Sequence, residues 1–105
     1  MVTVNINAGV CGFKTTIKAN SEDLQIAELK ITSDCPNYKI LGQELTEVDA
    51  FKECFAKLGE GEIYKTCAKY CKHAACPVPS GIIKAVEVAC ELALPKNVLI
   101  EIQKQ

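Results

Sequence analysis

The feature that most constrains this chain is a change of hydrophobic period roughly a third of the way along it. Val2, Val4 and Ile6 alternate with polar neighbours, as do Phe13, Thr15 and Ile17, and then Ala27, Leu29 and Ile31. Residues two apart share one face of a strand, so each run predicts a strand with one buried side. The stretches "NAG" (7–9) and "ANSED" (19–23) are polar punctuation that turns a chain back on itself. Together they predict a three-stranded antiparallel meander whose second strand begins near Cys11. Val98, Ile100 and Ile102 alternate again and predict a C-terminal fourth strand.

Directly after Cys35 the pattern becomes helical, and Pro36 suits a first helical position. The segment "TEVDAFKECFAKLGEG" carries a Thr46-x-x-Asp49 capping signal and a stripe of Val48, Phe51, Phe55 and Leu58, and it ends at Gly59. "EIYKTCAKYCK" is a shorter helical segment. A last helix starts at Ser80 or just before it, with Ile83, Val86, Cys90 and Ala93 on its stripe, and Pro95 ends it. The order predicts one α+β domain over residues 1–105, with three to four helices packed on one face of a small sheet.

Charge narrows the function. Twelve lysines face thirteen acidic residues, and there is no arginine. A nucleic-acid surface needs a basic excess and uses arginine for bidentate contacts, so no nucleic-acid partner is expected. The N-terminus "MVTVNINAGVCGF" lacks the basic region and continuous apolar run of a signal peptide. No window approaches the about 18 apolar residues of a membrane span, so no membrane partner is expected either. The expected location is cytoplasmic, where thiols are kept reduced. Seven cysteines, an odd number, resist a neat disulfide framework, and a 49% hydrophobic chain can build a core without one. In that setting the cysteines point to metal or redox chemistry.

They sort by context. Cys54 and Cys90 sit on amphipathic helices and read as small buried apolar residues. Cys35 and Cys76 each precede a proline where an extended segment hands over to a helix, in "SDCPNY" and "AACPVPSG". Such a placement aims free N–H groups and the positive helix end at the sulfur, favouring the thiolate that binds metal or attacks. Cys11, beside Gly12 at the start of the second strand, supplies a third sulfur at a sheet end. The stretch "IYKTCAKYCKHAACPVPSG" (63–81) adds Cys67, Cys71 and the only histidine, His73. Cys67 and Cys71, four apart, share a helix face, whereas Cys71 and His73 can join one site only if the helix ends near Lys72. The spacing C-x3-C-x4-C-P matches neither a zinc knuckle nor the bacterial ferredoxin run.

The longer pattern carries a resemblance. Cys11-Gly12 opens a strand, "ELKITSDCP" closes another at Cys35, and "KHAACPVPSGIIKAVEVAC" brings Lys72, His73 and Cys76 into an alanine-rich helix. This order resembles that of the IscU/NifU-type iron–sulfur cluster scaffold proteins, and "SDCP" is similar to the Thr-Ser-Cys-Pro-Asp signature of another group of small proteins. As a whole the chain resembles a small uncharacterised cysteine-rich family known mostly from anaerobes. The resemblance implies an IscU-like arrangement with a zinc or iron–sulfur site at Cys11, Cys35, Cys76 and either His73 or Cys71. Phe13 stands where the scaffolds carry the aspartate that assists cluster release, which argues against a delivering scaffold. The His-Cys pair is also split by Ala74 and Ala75.

Three functions follow as expectations. The first is a small metal-binding protein, related to iron–sulfur cluster handling, whose cofactor is zinc or an iron–sulfur cluster. The second is a thiol-disulfide protein cycling Cys71 or Cys35 with Cys76. The third is a protein that binds an unknown protein partner and keeps its cysteines for structure. Hydrolysis has little to build on, since one histidine, no G-x-S-x-G and no carboxylate pair assemble no acid–base machinery.

Overall fold

A computed structural model describes residues 1–105. Strands β1 (Val2–Asn7), β2 (Lys14–Asn20) and β3 (Ile26–Ser33) form the expected antiparallel meander. They are followed by α1 (Pro36–Glu44), β4 (Glu47–Asp49), α2 (Ala50–Cys54), α3 (Glu62–Tyr70) and α4 (Val78–Ala89). The sheet has the order β1-β2-β3-β4. Its register explains the alternation, because Val4 lies opposite Ile17 and Ile17 opposite Ile31. These residues line one face, while Lys18, Lys30 and Glu28 stand on the exposed other face. A sheet with one wet side buries its apolar side under helices, and here α1 covers β3 while α4 covers β1 and β2.

The fourth strand corrects the sequence reading. It is Glu47–Asp49, paired antiparallel with Ile26–Glu28, and not the C-terminal segment. Backbone bonds from Leu29 N–H to the Thr46 carbonyl and from Ala50 N–H to the Gln25 carbonyl bracket the pairing. Val48, 5% exposed, fills the core edge. Val98, Leu99, Ile100 and Ile102 lie outside the sheet and are exposed. Alternation marks a segment that suits a half-buried strand, but it does not say whether a sheet edge lies within reach.

The same strand shortens the next helix. Thr46 is committed to β3, so the cap moves to Asp49, whose carboxylate accepts from the N–H groups of Phe51 and Lys52. The resulting α2 has five residues, and its expected stripe faces outward: Phe51, Phe55 and Leu58 are exposed, with the two rings stacked 6.2 Å apart.

Helix α3 has no cap from its own first turn. Glu53, arriving from α2 and 6% exposed, accepts from the N–H groups of Glu62 (2.9 Å) and Ile63 (2.7 Å). A buried carboxylate thus meets the positive end of a helix, which satisfies both partners. Helix α4 begins at Val78, two residues before Ser80, and buries Val78, Gly81, Ile82, Ala85 and Val86. A methyl group at Gly81 would lie 2.1 Å from Ile6 Cδ1, so glycine is what lets this helix sit down on β1.

Candidate thiol site

The end of α3 creates the site. Its last intrahelical bond runs from Cys71 N–H to the Cys67 carbonyl, and Cys71 itself is already extended. The helix therefore stops at Tyr70, early enough for Cys71 and His73 to reach the same place. A turn closed by Cys76 N–H on the His73 carbonyl brings the chain to Pro77 and into α4. The result is an open hollow of about 310 Å³ lined by Tyr38, Tyr64, Cys67, Cys71, His73 and Cys76, with Lys72 beside them. No acidic side chain lines it.

Tyr38 ties the hollow to α1. Its hydroxyl lies 3.1 Å from Cys76 Sγ, and its ring is 2% exposed. Burial first, then the neighbouring Cys76 and Cys71 thiols, push the phenol far above its usual 10.0, so Tyr38 keeps its proton and shares a hydrogen bond with Cys76. Cys71 therefore bears on both the Tyr38 hydroxyl and the Cys76 thiol.

The electrostatics differ from the expectation for Cys76. Burial pushes its thiol above the usual 9.0 and outweighs the lowering by the Tyr38 hydroxyl and the Val78 N–H; neighbouring Cys71 raises it further. The helix end does help the thiolate, but the desolvation of a half-buried sulfur is larger. Cys67, beneath the hollow at 2% exposure, is pushed up to about 12, again by burial first and then by Cys76 and Cys71.

Cys11 and Cys35 lie at the same rim of the sheet but outside the hollow. The pairs Asn7–Lys14 and Thr15–Ser33 place the β1–β2 turn and the exit from β3 at one end. Cys11 is exposed in that turn, between Gly9 and Gly12, which both take positive φ. Cys35 is the extended residue capping α1, and its N–H donates to Ser33 Oγ at 3.0 Å. Ser33 in turn shares a buried 2.7 Å hydrogen bond with Thr15. Nowhere are three or more His, Cys, Asp or Glu side chains preset to hold a metal ion, so Cys11, Cys35 and Cys76 form no ready ligand group.

Cys54 and Cys90 pack against the core, as the sequence predicts. Helix α4 nevertheless ends at Ala89 and not at Pro95, so that Cys90 is the residue closing the helix and Ala93 lies beyond it. The Cys54 thiol is pushed up to about 11, by burial first and then by Glu87. Tyr38 and Tyr64 escape a reading from sequence. No local signal in the sequence connects Tyr38 to a sulfur 38 residues away.

The fold and site together define a small α+β protein with a thiol-rich hollow. A family model described as a family of unknown function (DUF6951) matches residues 2–102, and the chain belongs to that family. No curated protein and no solved structure matches it, and none of these comparisons shows a resemblance to the iron–sulfur scaffolds.

Proposed function

We propose that this protein binds a soft metal centre, zinc or an iron–sulfur cluster, in the hollow between α1, α3 and the start of α4. Cys71 and Cys76 are the principal sulfur donors, with Cys67 beneath them and His73 as the nitrogen donor. One observation carries this reading: three of the seven cysteines and the only histidine line a single open hollow. Thiolate and imidazole donors suit zinc and iron–sulfur centres, whereas magnesium and calcium want oxygen. Lys72 at the edge, and the lack of carboxylates, favour the negative charge that deprotonated thiols would bring.

Closing the site takes rotation of the exposed His73 and adjustment of the 72–75 loop, because the donors are not preset. Bound sulfur is thiolate, and burial keeps Cys67 and Cys76 protonated, so apparent affinity rises with pH. The order of the cysteine-bearing elements extends the proposal to iron–sulfur cluster handling, with a protein partner of unknown identity.

The test is titration with cobalt(II) and zinc, and anaerobic iron–sulfur reconstitution, read by absorption and elemental analysis. The expected result is about one centre per chain, lost in Cys71→Ser and Cys76→Ser and kept in Cys11→Ser and Cys54→Ser. Loss in Cys11→Ser and Cys35→Ser instead would move the site to the sheet rim. A wild-type chain that retains no metal under any of these conditions would overturn the proposal.

A further inference from the structure

Cys71 and Cys76, the principal donors of the proposed metal site, line one hollow, and that placement supports a second chemistry that needs no metal. We infer that Cys71 and Cys76 are a reversible dithiol pair that hydrogen peroxide converts to an intramolecular disulfide. Both residues line the same open hollow, which a small oxidant can enter, and the Cys76 sulfur lies 3.1 Å from the Tyr38 hydroxyl. Neither is held by helical backbone: Cys71 is extended just past α3, and Cys76 precedes α4. The residues between them, Lys72, His73, Ala74 and Ala75, are all exposed, so the loop can adjust to the narrow geometry a disulfide demands.

Their neighbour Cys67 is the natural competitor, and the fold sets it apart. It is fixed in the helical backbone of α3 and 2% exposed, so it has neither the access an oxidant needs nor the freedom a disulfide demands.

The step balances without any further reagent. One thiol of the pair attacks one peroxide oxygen as its thiolate, the O–O bond breaks, and the leaving oxygen departs as hydroxide that takes a proton to become water. That sulfur is now a sulfenic acid. The other cysteine's thiolate attacks it, an S–S bond forms, and the sulfenic oxygen leaves as a second water. Two thiols and one peroxide give one disulfide and two waters, with two electrons passing from sulfur to oxygen. A small dithiol reductant reverses the change by exchange.

The sequence makes the product easy to read. Trypsin cuts after Lys69, Lys72 and Lys84, so Cys71 falls in Tyr70–Lys72 and Cys76 in His73–Lys84. The full chain, reduced and freed of metal with a chelator, is treated with one equivalent of peroxide, alkylated and mapped without reduction. The expected map joins these two peptides through a disulfide, with two thiols lost and both restored by dithiothreitol. Recovery of both peptides in the alkylated form, whether no thiol is lost or Cys11 or Cys35 is oxidised instead, would overturn the inference. In Cys71→Ser, Cys76 is expected to stop at a sulfenic acid that dimedone traps. If that variant fails to fold, the wild-type map decides alone. The metal-free map stands whether or not the chain binds zinc. Slower oxidation after zinc loading would in addition show that the two chemistries share these sulfurs.

Discussion

The Tyr38 hydroxyl and the Cys76 sulfur lie 3.1 Å apart and join the first turn of α1 to the lead into α4. This single bond places a polar group from the core at the edge of the thiol hollow. Tyr38→Phe keeps the buried ring and removes one hydrogen bond, so a loss of about 0.5–1.5 kcal/mol in urea unfolding is expected. Tyr38→Ala empties a fully buried aromatic site, and a loss of about 3–5 kcal/mol is expected. A Phe variant as unstable as the Ala variant would mean that the hydroxyl, not the ring, organises this region.

Contact between α4 and β1 depends on the missing side chain at Gly81. Gly81→Ala would push a methyl group into Ile6 Cδ1, and overpacking of this kind costs about 1–3 kcal/mol. Ile6→Val removes the atom in the way. The double variant is therefore expected to be more stable than the sum of the two single losses. Strict additivity, measured by denaturant midpoints, would show that the helix relieves the clash by shifting.

Glu53 is the cap of a helix to which it does not belong. Glu53→Ala leaves two N–H groups of α3 without their acceptor, and a loss of about 1–3 kcal/mol is expected. Glu53→Gln keeps one acceptor oxygen and recovers part of it. Because α3 carries Cys67 and ends at Cys71, hydrogen exchange in the Ala variant should rise first at Glu62 and Ile63 and extend toward Cys71.

Glu44 links the end of α1 to α3, accepting from Lys69 Nζ (2.7 Å) and the Tyr70 hydroxyl (2.5 Å). The Lys69 bond first, and then Tyr70, hold its carboxyl below the usual 4.5. A carboxyl depressed in the folded state stabilises above its unfolded value and loses that effect as pH falls through the folded value. The melting temperature of Glu44→Gln is therefore expected to lie below that of wild type at neutral pH. The gap should close as the pH drops below 4.5. Both groups are exposed, so added salt should narrow the gap as well. A gap that persists unchanged at low pH would assign the effect to packing.

Much of the fold was legible locally. The alternation of Val2, Val4 and Ile6, of Thr15 and Ile17, and of Ala27, Leu29 and Ile31 specifies three strands with one buried face, because side-chain direction in a strand depends only on parity. The second strand begins at Lys14, however, and leaves Cys11 and the exposed Phe13 in the turn before it. Pro36 marked the start of α1, and the amphipathic stretches after it marked α3 and α4. The cysteines themselves were visible, and so was the condition that α3 must stop early for Cys71 and His73 to meet.

Tertiary structure alone decided the rest. Whether 47–49 or 98–102 becomes the fourth strand turns on which segment the chain delivers to the free edge of β3, a contact between residues far apart in sequence. Whether Cys76 is more acidic or less turns on how deeply the packed helices bury it, and here burial outweighs the helix end. The partnership of Cys76 with Tyr38, and the gathering of Cys67, Cys71 and His73 around it, exist only once α1, α3 and α4 have docked. Local spacing sets which way a side chain leaves its own backbone. Only packing sets what it meets there.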